Sequence, residues 1–166
     1  MLLLTKSSTR LLKMTQTVPQ PTDVDRALSV TYCDDVRQEV NNKLSFMGMY
    51  QGQLIFPALP ARVPRLCVIQ QLVCPKVQPF QHAKVAVYRD ESLFAESELT
   101  PPEDAWTSGR EEGYLRFMIP FIFENLEFSQ KTIFRVRCTF DDGMIIPAPA
   151  LEIDAAPGPG AAQHFS

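Results

Sequence analysis

The chain has 166 residues, 45% hydrophobic and 21% charged, with a net charge of −3 and a pI near 5.4. That length suits one domain with a sizeable core and excludes two ordinary domains with a linker, and the balance is that of a globular protein. A net acidic chain lacks the concentrated Lys/Arg surface that neutralises a phosphate backbone, so no nucleic acid partner is expected.

From the start of the chain, the apolar run of Met1 to Leu4 stops at Thr5 and Lys6. That is short of the roughly 7 to 15 apolar residues of a signal peptide, and no later stretch approaches the ~20 of a membrane span. The opening carries Lys6, Arg10 and Lys13 with no acid up to Thr22, which fits either a transit segment or an extension ahead of a start at Met14; the second is preferred. Residues 1–25, with Pro19 and Pro21, are expected to be an extension outside the fold. The tail 155–166, AAPGPGAAQHFS, has the makeup of a flexible end. The folded domain is therefore expected over 26–154.

Within it, period two dominates, the spacing of side chains that alternate between strand faces. Leu28, Val30 and Tyr32 alternate with Ser29, Thr31 and Cys33 in a first strand. Residues 34–42, DDVRQEVNN, suggest a short helical turn with an acidic start. Residues 43–56 suggest one long or bulged strand near Gly48 and Gly52. Residues 65–73 are apolar on both faces, as a central covered strand should be. Residues 84–98 read as a hairpin turning at Arg89-Asp90-Glu91-Ser92, and 100–113 as a long loop through Pro101, Pro102 and Trp106. Residues 114–121 form a strand expected to end near Pro120. Thr132 to Phe140 sets Phe134, Val136, Cys138 and Phe140 on one face, then runs into the turn signal Asp141-Asp142-Gly143 and a closing strand that Pro147 and Pro149 should interrupt or hold at an edge. About seven or eight short strands with minimal helix predict an all-β, immunoglobulin-like, two-sheet antiparallel sandwich.

Two stretches resemble a family of uncharacterised small bacterial proteins. The first is YCDDVRQEVNNKLSFMGMY over 32–50, where Cys33-Asp34-Asp35, Arg37, Glu39, Lys43, Ser45, Gly48 and Tyr50 carry the likeness; the second is the ending 119–153, with IPF, NLEF, FRVRCTFDDG and PALEI. The resemblance implies a sandwich and a bacterial or phage origin, and brings no catalytic residue with it.

Cys33, Cys67, Cys74 and Cys138 are widely spaced, with no CxxC pair of the kind structural zinc sites use. Three lie in apolar runs, so reduced buried thiols and a reducing, cytoplasmic setting are expected. Asp34, Asp35 and Glu39 form the densest acidic group. They read either as hard oxygen ligands for calcium or magnesium, with Asp141 and Asp142 completing a C2-like site, or as a solvated turn paired with Arg37 and Lys43. His82 and His164 are the only histidines, and neither a GxSxG elbow nor a phosphate-cradling glycine loop is present. Arg116, Arg135 and Arg137 fall on outward strand faces and would suit an anion if their strands were neighbours. Trp106 and Tyr114 flank the long loop as aromatic anchors for a protein or a sugar. The reading that follows is a non-catalytic protein-binding module or subunit, without a cofactor, acting through an edge strand or the 101–113 loop, with a homo-oligomer left open. The alternative is a divalent-metal-dependent hydrolase or calcium-dependent binder using Asp34, Asp35 and Glu39.

Overall fold

The computed structural model describes residues 25–108 and 113–157, so most of the expected N-terminal extension and C-terminal tail lies outside the described residues. Eleven strands and one 3-10 turn make up the fold: β1 (Ala27–Cys33), β2 (Asp35–Glu39), β3 (Lys43–Met47), β4 (Gln53–Phe56), β5 (Ala61–Pro75), β6 (Ala83–Arg89), β7 (Ser92–Leu99), β8 (Tyr114–Phe128), β9 (Thr132–Phe140), β10 (Ile145–Pro147) and β11 (Leu151–Ala155). Two sheets face each other. One has the order β1-β5-β8, the other β4-β11-β9-β6-β7, with β10 also on β9; β2 and β3 pair separately.

The core is made by the inward halves of the alternating strands. Leu66, Val68, Leu72 and Cys74 of β5 meet Val85 and Val87 of β6 and Phe134, Val136 and Cys138 of β9, all buried in one cluster. Phe134 bridges the layers, its ring 6.3 Å from Phe123 at a tilt and 6.1 Å from Phe128 of β8 in the edge-on arrangement aromatic quadrupoles favour. This bears out the expected sandwich. The order is also immunoglobulin-like: β1, β5 and β8 stand where strands A, B and E do, and β11, β9, β6 and β7 where G, F, C and C′ do. Cys74 and Cys138 thus lie on the B and F positions that antibody domains bridge by a disulfide, and here both are free buried thiols.

Several local expectations are corrected. The sheets are not wholly antiparallel, because β4 runs parallel to β11, with Leu54 opposite Ile153. β11 is therefore not an edge strand, although Pro147 and Pro149 do interrupt it from β10. The short turn expected in 34–42 is a 3-10 turn confined to Val40–Asn42, while the acidic start is strand: β2 and β3 form a hairpin around that turn. Asn41, at φ 66, supplies the left-handed residue of its three-residue loop. Tertiary burial outweighs the acidic start, since Val36 and Phe46 cover Cys33, Cys67 and Ile69 on the outer face of the three-stranded sheet. The 43–56 segment is two strands, parted where Gly48 and Gly52 take φ of 64 and 83. A Cβ on Gly48 would run into the Asp34 carboxylate, so glycine is required there twice over. Finally β8 continues past Pro120 to Phe128, because Pro120 stands on an edge strand where a missing N–H breaks no ladder bond.

Candidate functional site

The site candidates collect at one end of the sandwich, where segment 79–82, segment 100–108 and the β9–β10 turn enclose an open cleft of about 760 Å³. Its wall is aromatic. Trp106 is half-buried and edge-on to Phe80 at 5.1 Å; Phe80 in turn meets Phe117 at 5.8 Å and Phe140 at 5.2 Å, also edge-on. Two prolines, then a turn closed by Ala105 N–H to Pro102 O and Ser108 N–H to Asp104 O, present Trp106 to this wall.

The polar rim is held by backbone bonds. Asp141 Oδ2 accepts from Gln81 N–H at 2.7 Å and His82 N–H at 3.2 Å, and those donors, Gln81 first, keep its carboxyl below the ordinary range. Asp142 is held low chiefly by Met144 N–H and also by Arg26. Arg26 itself is buried: it bonds Asp142 at 2.7 Å, donates to the carbonyls of Gln78 and Pro79, and lies 4.3 Å over the Phe140 ring. Glu103 completes the lining, and exposed His82 sets Nδ1 3.1 Å from the Thr100 hydroxyl. The result is a stiff aromatic cleft with an excess of carboxylates over guanidinium on its rim.

The other sequence-derived residues are not brought together. Tyr114 and Arg116 are exposed on the outer face of β8, in the three-stranded sheet. Arg135 and Arg137 belong to β9 in the other sheet, so the expected arginine row does not form. Arg135 is spent on Asp90 O and Glu91, while Arg137 stacks 4.9 Å from the Tyr88 ring. The acidic group is equally divided. Asp34 accepts the Tyr50 hydroxyl, Glu39 accepts that of Ser45, and Asp35 is held low by Arg37 and Arg65 at 3.1 and 2.9 Å. Among the described residues no three metal-ligating side chains converge, which does not favour the metal reading. The sequence does not single out Arg26 and Phe80, for a lone arginine before a strand and a phenylalanine between Pro79 and Gln81 give no signal of their shared role.

By its architecture this is an immunoglobulin-like β-sandwich with an aromatic cleft at one end. The chain belongs to a family of unknown function, DUF6941, whose model matches residues 28–150, from β1 through β10 and short of β11. No curated protein and no solved structure matches it. No helix among the described residues is long and apolar enough to cross a membrane.

Proposed function

We propose that the protein is a non-catalytic binding module whose cleft beneath the 101–108 segment takes a positively charged segment of a partner protein. The observation that carries this is the cleft itself, in which half-exposed Trp106, backed by buried Phe80, lies beneath a rim of Glu103, Asp141 and Asp142. Aromatic faces attract guanidinium and ammonium groups, and the rim adds electrostatic complementarity. Because Asp141 and Asp142 are fixed by backbone donors, little ordering remains to oppose binding.

Trp106 is the only tryptophan, so its emission reports occupancy of the cleft directly. Titration with Arg- and Lys-containing peptides is expected to change that emission saturably, and Glu103→Lys to weaken the response about tenfold at low salt. A response to a sugar panel and none to any cationic peptide would overturn this reading in favour of a carbohydrate site.

A further inference from the structure

Strand β8 is 15 residues long, and among the described residues nothing pairs with its side away from β5. Its polarity follows from the ladder. Tyr50 N–H donates to Tyr32 O at 2.8 Å, so Tyr32 turns its backbone groups away from β5. By the alternation of an antiparallel ladder, Val68, opposite Tyr32, then bonds Phe121. The backbone groups of Arg116, Met118, Ile122 and Glu124 consequently face the open edge, together with the carbonyl of Pro120. The side chains of these same residues form an exposed stripe on the outer face, with Met118 at 44% and Ile122 at 53% exposure. A long, apolar, unpaired edge is what proteins usually cover or interrupt.

We propose that this edge pairs with the same edge of a second copy, antiparallel about a two-fold axis at Pro120. The sequence of the stripe is self-complementary about that residue. Arg116 falls opposite Glu124 of the other copy, Met118 opposite Ile122, and each contact occurs twice, as an isologous interface requires. Neither displaced register sets the two charges against each other. Glu124 already receives Arg65 at 3.0 Å while remaining exposed, so it can accept a second guanidinium. At the axis each Pro120 lacks the N–H its position would donate and turns its ring towards the opposing carbonyl, so the strands part there and the pairing rests on the Met118–Ile122 and Arg116–Glu124 pairs on either side, which keeps the association modest. The pairing would join the two three-stranded sheets into one and leave the Trp106 cleft open at the sandwich end.

Sedimentation equilibrium of the full chain over a wide concentration range tests this directly. A monomer–dimer equilibrium is expected. Arg116→Glu alone should raise the dissociation constant about tenfold, and Arg116→Glu with Glu124→Arg should restore it. Pro120→Val should tighten the dimer by supplying the absent donor, with circular dichroism confirming that each variant is folded. A monomer at every concentration would overturn the proposal. So would a dimer indifferent to both Arg116→Glu and Pro120→Val, or a double variant no better than the single.

Discussion

Gln70 is fully buried on the inner face of β5, between Val68 and Leu72 of the core, and neither its Oε1 nor its Nε2 meets a hydrogen-bond partner among the described residues. An unpaired buried amide costs about 1 to 3 kcal/mol. Gln70→Leu, close in volume, is therefore expected to raise the unfolding free energy by a comparable amount, read by urea denaturation; a loss of stability would mean the amide has a structural partner. The thiols behave in the opposite sense, being buried without penalty. Burial pushes Cys138 up to about 12 and Cys74 and Cys33 up to about 11. They should resist a thiol reagent at pH 8 in the native state and react only on unfolding, as counted by absorbance. The alternation in 132–140 made the burial of Cys138 legible from sequence, since it shares a face with Phe134 and Val136. Nothing in the sequence marked Gln70 as buried, because a Gln-Gln pair in an apolar strand leaves open which of the two points inward.

At the scale of elements, the turns decide more than the strands. Gly48 joins β3 to the Tyr50 bridge in a left-handed conformation, and a Cβ there would strike the Asp34 carboxylate, so Gly48→Ala is expected to cost more than about 1 kcal/mol. Gly52→Ala, with open space around it, should cost less, and thermal melts rank the two. The β9–β10 turn carries part of the acid sensitivity, beside Asp35 of β2. Asp141 and Asp142 are held below the ordinary carboxylate value of 3.8 by N–H donors present only in the folded state. Their contribution is therefore complete above that value and is lost as pH falls through the lower folded-state values. The melting temperature should fall in this acid range, and by less for Asp141→Asn; identical acid limbs would remove these carboxylates from the account. The strand periods and the Asp141-Asp142-Gly143 turn were readable locally. The β2–β3 hairpin was not, because its Val36 and Phe46 are explained by Cys67 and Ile69, which lie far along the chain on β5. Pro120 misled for a related reason, since proline ends a central strand and not an edge one, and edge position is a property of the sheet.

For the whole molecule, the immunoglobulin-like order places three distant segments, 79–82, 100–108 and 141–142, around one cleft. Trp106 was legible as a candidate anchor from its place in a proline-led loop, whereas Phe80, Arg26 and the turn acids joined it only through the topology. The scattered carboxylates of β2 and the arginines of β8 and β9 were separated by that same topology. The cleft and the open β8 edge lie on different parts of the sandwich, so binding and self-association can be tested one without the other. The most direct test of the binding role is a quantitative pull-down of the full chain from its own host, read by mass spectrometry beside Trp106→Ala and a version with 101–108 replaced by a Gly/Ser linker. The expected result is one stoichiometric protein with an exposed basic segment, captured by the native chain and lost from both altered forms. Equal capture by all three, or no stoichiometric protein with the native chain, would contradict a binding role for this cleft.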